Sequence, residues 1–222
     1  MSPASIQAVT FDVGGTLIIP WPSVGHIYSE VAAANGCPVV PPQLLNQRFA
    51  NAWKAAAKFE HSPSEWSDLV DATFSGLIER KPSRTFFSKL YERFAHPGAW
   101  HVFEEVVPTL QTLRSQRVKL GVISNWDERL RPLLRRLQLY PYFDSIVVSC
   151  EVGFPKPAPA IFARAANELV VPPPAILHVG DSLQLDVQGA QAAGFAAVLL
   201  DRKANSAGAG IVPSLRDLLD LL

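Results

Sequence analysis

Short apolar runs rich in β-branched residues recur at 6–13, 118–123, 145–149, 175–179 and 196–200, and this pattern predicts buried strands. From residue 118 onward the runs alternate with helix-like stretches at 128–137, 158–168 and 185–193. Strand then helix, repeated, predicts βαβ crossovers and a parallel sheet covered on both faces. The segment between the first two strands has a different pattern. "SVGHIYSEVAAANG", "PQLLNQRFANAWKAAAKF", "SEWSDLVDATFSGLIE" and "SRTFFSKLYERFA" carry apolar residues at spacings of three and four, with Pro or Gly between them. This predicts a helical insertion bordered by the Pro-bearing stretches "IIPWPS" and "AHPGAW". The expected architecture is α/β, a Rossmann-like parallel-sheet core over 1–18 and 98–222 with an inserted all-helical cap over 19–97. The closing "PSLRDLLDLL" predicts an amphipathic helix packed on the sheet.

Composition narrows the function classes. The chain has 222 residues, 48% hydrophobic and 18% charged, which suits a soluble globular protein with a sizeable core. Twenty basic residues balance twenty acidic ones, so no global field attracts nucleic acid or an anionic membrane. Cys37 and Cys150 show no metal-ligand or redox spacing, which points to a reducing, cytoplasmic setting. No run approaches the roughly 18 apolar residues of a membrane span, and the start lacks secretory-signal character. Oligomeric state leaves no mark on the sequence.

Candidate chemistry lies at the carboxyl ends of the predicted strands, where open parallel sheets bind ligands. Asp12 follows "AVTF", Ser124 and Asn125 follow "LGVI", Lys156 lies in "GFPKPAP", and Asp181 and Asp186 lie in "GDSLQLD". Each has a plainer reading: Asp12 as turn former, Ser124 or Asn125 as helix cap, Lys156 as solvated loop lysine, "GDSLQLD" as a helix start. Asp127 reads as a helix cap, and His178, inside an apolar strand, as a core histidine. Four polar elements at four strand ends, in this order, favour a site over four coincidences.

The "FDVGGTL", "VISN", "PKP" and "VGDSLQLDVQGA" blocks resemble those of the haloacid dehalogenase-like hydrolase superfamily. The insertion after the first block resembles its subfamily with a helical cap. The resemblance implies that Asp12 is a nucleophile and magnesium ligand, with the Gly14 carbonyl and Asp181 as further ligands and Asp186 supporting them from behind. It implies that Thr16, Ser124 and Asn125 hold phosphoryl oxygens of a small phosphorylated substrate, and that Lys156 neutralises charge beside Asp12. A hard cation and a lysine would offset the repulsion between a carboxylate and an anionic phosphate, and an aspartyl phosphate would form and be opened by water.

Gly14 departs from the family's phosphatases, which carry an acid there to protonate the leaving group. The loss matters least for leaving groups stable as anions, and Gly14→Asp tests whether the acid limits the rate. A magnesium-dependent phosphatase is expected, with Asp127 or a cap side chain as a substitute acid. A 2-haloacid dehalogenase, a phosphonoacetaldehyde hydrolase-like enzyme using Lys54 or Lys58, and an inactive relative binding a phosphorylated metabolite or protein partner are the alternatives. Trp21, Trp53, Phe59 and Trp66 read as helix-packing aromatics, with lining of a substrate pocket as the alternative.

Overall fold

The computed structural model of the chain describes residues 5–56, 59, 61–204, 206–208 and 210–221. Two compact units divide it: Met1–Ile18 with Val102–Leu222, and Ile19–His101. Strands β1 (Ala8–Phe11) and β2 (Ile18–Pro20) open the chain. Helices α1 (Val24–Ala34), α2 (Pro42–Ala55), α3 (Pro63–Phe74) and α4 (Phe87–Arg93) follow, and β3 (Trp100–Val102) pairs with β2 in a two-stranded sheet.

The remaining elements are α5 (Val106–Ser115), β4 (Lys119–Ser124), α6 (Leu130–Arg136), β5 (Ser145–Val148), α7 (Ser149–Val152), α8 (Pro159–Leu169), β6 (Ile176–Gly180), α9 (Gly189–Ala192), β7 (Ala196–Leu200) and β8 (Ile211–Val212). Among the described residues these strands form a six-stranded sheet in the order β5-β4-β1-β6-β7-β8, with all paired neighbours parallel. This is the Rossmann-like α/β core that the sequence predicts. Strand order reverses beside β1, whose neighbours are β4 and β6, so a crevice opens at the carboxyl end of β1. The site is built there.

Local chemistry explains individual elements. Helix α8 begins with Pro159 in its first turn and buries Ile161, Phe162, Ala165, Ala166 and Leu169, a stripe at helical spacing that packs with Ile123 and Val147 of the sheet. A fully buried Phe such as Phe162 contributes about 1.5–3 kcal/mol over an exposed one. In the other unit Ser62 caps α3: its hydroxyl accepts from Glu65 N at 3.3 Å, while Glu65 Oε2 accepts from Ser62 N at 3.0 Å. Such a cap is worth about 1 kcal/mol. Ile27, Val31, Leu45, Val70, Phe74, Phe86 and Leu90 form that unit's core.

Three details differ from expectation. The predicted helix over 185–193 is a wide π-type turn, Leu183–Gln188, running into α9. The closing segment is a 3₁₀ helix, Leu215–Leu221, because Leu215 and Leu218, both buried, recur at a spacing of three. Strand β8 is too short to leave a pattern. Among the described residues no helix is long and apolar enough to cross a membrane.

Candidate active site

Asp12 is the first residue after β1, and its N–H donates to Val179 O of β6 at 2.9 Å. The carboxylate is thereby fixed between β4 and β6. Ser124, the last residue of β4, donates its hydroxyl to Asp12 Oδ1 at 3.0 Å. Lys156 Nζ donates to the same oxygen at 2.7 Å and to Asp186 Oδ1 at 2.6 Å. The far side of Asp186 is held as well, since its Oδ2 accepts from Ser182 N at 3.0 Å. Lys156 and Asp186 are almost fully buried, so one ammonium sits between two carboxylates out of water.

Behind Asp186 stands His178. Its Nε2 is 3.2 Å from Asp186 Oδ1 and its Nδ1 is 2.9 Å from Thr10 Oγ1. Burial lowers the pKa of His178, against the pull of Asp186, so the ring is neutral at pH 7. If Thr10 donates to Nδ1, Nε2–H donates to Asp186. The ring also packs edge-on against Phe162, with centroids 5.3 Å apart. It is a core histidine, and it orients the carboxylate that holds Lys156.

The charges explain the titration behaviour. Burial lowers the Lys156 pKa, but Asp12 and Asp186 outweigh it and the net shift is upward. Burial raises Asp12, Asp186 adds to that, and Lys156 opposes both without cancelling them. Asp186 lies far below the usual carboxylate range: burial would raise it, but Lys156 and the His178 hydrogen bond prevail. Asp181 is exposed by area, yet its surroundings desolvate the carboxyl, and with Asp12 and Asp186 they push it up to about 7. Oxygens of Asp12, Asp181 and Asp186 lie within 4.8 Å of one another. Hard oxygen donors and surplus negative charge fit a hard divalent cation.

Gly15 makes room for this cluster. Its φ is +81°, and a Cβ there would stand 2.2 Å from Asp181 Oδ2. A side chain at this position would displace the carboxyl as well as strain the turn.

The haloacid dehalogenase-like hydrolase family model matches residues 6–194. A mouse protein, haloacid dehalogenase-like hydrolase domain-containing protein 3, is 36% identical over 88% of this chain and 82% of its own length. The chain belongs to the haloacid dehalogenase-like hydrolase family. Among solved structures, a HAD phosphatase from Thermococcus onnurineus matches with a TM-score of 0.69 at 24% identity, covering 97% of each chain. A 2-haloacid dehalogenase from Pseudomonas syringae pv. Tomato DC3000 matches with a TM-score of 0.67 at 27% identity, again covering 97% of each. The fold fits a phosphatase and a dehalogenase about equally well, so the choice rests on side chains.

In this member of the family, Asp12, Ser124, Lys156, Asp181 and Asp186 converge. Thr16 is fully buried, and among the described residues its Oγ1 has no hydrogen-bond partner. Asn125 is used differently from expectation: its Oδ1 accepts from Lys156 N at 2.6 Å and its Nδ2 donates to Lys156 O at 3.0 Å. The side chain clamps the lysine's backbone. Asp127 does not cap α6, whose cap residue is Arg129 and which has no side-chain cap bond; it accepts from Arg129 N at 3.1 Å in the turn before the helix and takes the Arg129 guanidinium at 2.8 and 2.5 Å. The carboxylate is engaged in a buried, charge-assisted pair. Lys54 is exposed in the last turn of α2, and Lys58 lies outside the described residues. Trp53, Phe59 and Trp66 pack on one another, with centroids 4.8–5.7 Å apart, and Trp21 packs on His101.

Sequence reasoning passed over Arg202. Its Nη2 donates to Thr16 O at 2.9 Å, its Nη1 binds Glu105, and its guanidinium lies 3.5 Å from the centroid of the Phe103 ring. It pins the loop after the nucleophile candidate. It stands two residues past β7, where the strand-end rule applied to the other strands would have found it.

Proposed function

We propose that the protein is a magnesium-dependent phosphatase acting on a small phosphorylated metabolite through an aspartyl-phosphate intermediate. The observation that carries this reading is the pairing of Asp12 with Lys156 at 2.7 Å beside a cluster of three carboxylates. Asp12, the Gly14 carbonyl and Asp181 would hold magnesium, which when bound supplies positive charge against the phosphoryl oxygens. Asp12 attacks phosphorus from the side that Ser124 and Lys156 orient. Lys156 keeps its proton and offsets charge as the attack proceeds, while Asp186 and His178 hold it in place. Thr16, with its unpartnered hydroxyl, and Ser124 would receive phosphoryl oxygens, with Asn125 fixing the Lys156 loop beside them. Residues 19–97 would act as the substrate-selecting cap. Two free cysteines suit the reducing cytoplasm.

Asp181→Ala tests this reading. The variant is expected to lose both magnesium dependence and phosphate release from phosphomonoesters, measured with and without added magnesium. The dehalogenase alternative is favoured by the Pseudomonas relative and by Gly14, and it predicts metal-free halide release that Asp181→Ala leaves intact. That result would replace the phosphatase reading.

A pH dependence follows. With Asp181 pushed up to about 7, a proton competes for the carboxyl below that pH and is displaced when a cation binds. Calorimetric titration with magnesium is expected to show affinity falling about fivefold as pH drops from 7 to 6, and closer to tenfold per unit below that, for one proton. Equal affinity at pH 6 and 8 would contradict Asp181 as a ligand.

A further inference from the structure

The place of the missing acid is crowded by an aromatic ring. A Cβ at Gly14 would lie 3.3 Å from Cζ3 of Trp126, so the benzene edge of the indole crowds the start of any side chain at position 14. An aspartate there would have to share that space with the ring edge. The indole is held by its own backbone: Ser149 Oγ accepts from Trp126 N at 3.1 Å and donates to Trp126 O at 3.2 Å. Cys150 N also donates to Trp126 O at 3.3 Å. The edge facing Gly14 carries only C–H, because the indole N–H lies on the other ring.

Other carboxyls are already engaged, Asp181 with the cation under the proposed function. Asp127 is tied to Arg129 and Asp186 to Lys156, His178 and Ser182. Lys156, held between two carboxylates, is a poor proton donor.

We propose that Trp126 and Gly14 form a matched pair that makes the site selective for phosphates whose leaving oxygen is stable as an anion, as in aryl, enol and acyl phosphates. For its chemistry this rests on the phosphatase reading. In the first step an Asp12 oxygen forms a bond to phosphorus, and the bond to the leaving oxygen breaks. The leaving group departs with the electron pair and takes no proton from the enzyme. In the second, water bonds to phosphorus, the Asp12–phosphorus bond breaks, and the water's protons pass to the phosphate product and solvent. Gly14→Asp alone is therefore not expected to place an acid productively, because Trp126 crowds that position.

Two measurements test the pair. The first is a stability cycle that needs no activity: Gly14→Ala is compared by thermal unfolding in the parent and Trp126→Ala backgrounds. The alanine is expected to be less favourable beside the indole, with the two shifts differing by at least about 2 °C. Equal shifts would overturn the packing half of the proposal.

The second compares the parent protein, Gly14→Asp, Trp126→Ala and the double variant on 4-nitrophenyl phosphate, acetyl phosphate, phosphoenolpyruvate and ethyl phosphate. The parent is expected to favour the first three over the alkyl ester. Only the double variant is expected to gain on ethyl phosphate, by at least about tenfold, within the range general acid catalysis reaches. A full gain from Gly14→Asp alone, or none from the double variant while nitrophenolate release persists, would overturn the specificity claim. If the parent releases phosphate from none of the four, the phosphatase reading itself fails and the leaving-group claim with it. The stability cycle then still decides the packing claim separately.

Discussion

Asp12→Asn is expected to lower phosphate release by at least about 10⁴-fold, since an amide in place of a nucleophilic carboxylate cannot form the intermediate. The fold is expected to survive. Asparagine has nearly the same shape, and its carbonyl can still accept from Ser124 and Lys156, which lie 3.0 and 2.7 Å from Asp12 Oδ1. Lys156 retains Asp186 as its counter-ion. The sign of the stability change follows from the raised Asp12 pKa. A folded-state pKa above the unfolded value gives a contribution that is full below the unfolded pKa and is lost as pH rises through the folded one. Ionised Asp12 therefore weighs against stability, and the asparagine variant is expected to melt at or above the parent temperature. An inactive variant that also melts well below the parent would point to a structural role, and unchanged turnover would remove Asp12 as the nucleophile.

Lys156→Met carries the second large effect, chiefly on stability. The methionine keeps the length of the chain and removes the ammonium, leaving Asp12 and Asp186 buried without their cation. Breaking a buried pair from one side costs about 3–5 kcal/mol, which for a chain of this size lowers the melting temperature by about 2–4 °C per kcal/mol. In the variant both carboxyls have folded-state pKa values above their unfolded ones, so the penalty grows as pH rises through the folded values. Acid removes it by neutralising them. In the parent, the raised Lys156 pKa contributes stability that is full below the ordinary lysine value and is lost only in strong alkali. The gap between parent and variant is therefore expected to be wide at pH 7 and to narrow toward pH 4. Denaturant melts at the two pH values read it directly, and a small, pH-independent gap would contradict the buried three-charge arrangement.

Much of the core was legible because buried parallel strands read as apolar runs and the ligand-binding edge is where those runs end. Asp12, Ser124, Lys156 and Asp181 could be picked out before any coordinates, and they do come together. The helices of the insertion were legible from spacing and from signals such as Ser62 and Glu65. The uses of Asn125 and Trp126 were not. Asn125 has the look of a helix cap, and its attachment to Lys156 depends on a loop 31 residues away. The indole's approach to Gly14 depends on how Ser149 holds the Trp126 backbone, and sequence spacing carries no trace of that. Position 14 thus read as a lost acid, whereas in three dimensions Gly14 also lies against the edge of the Trp126 ring. Arg202 is a different kind of omission: the strand-end rule covers it, but it was not applied to the end of the predicted strand at 196–200.

The central claim is that Asp12 becomes phosphorylated, and rapid mixing with 4-nitrophenyl phosphate tests it most directly. Nitrophenolate leaves without a proton, so the first turnover reports the attack by Asp12 separately from the acid that Gly14 lacks. With magnesium present, a burst close to one nitrophenolate per chain followed by slower turnover is expected, and it should vanish without magnesium and in Asp12→Asn. A burst that persists in Asp12→Asn, or folded parent protein that shows neither burst nor turnover with magnesium, would contradict the claim.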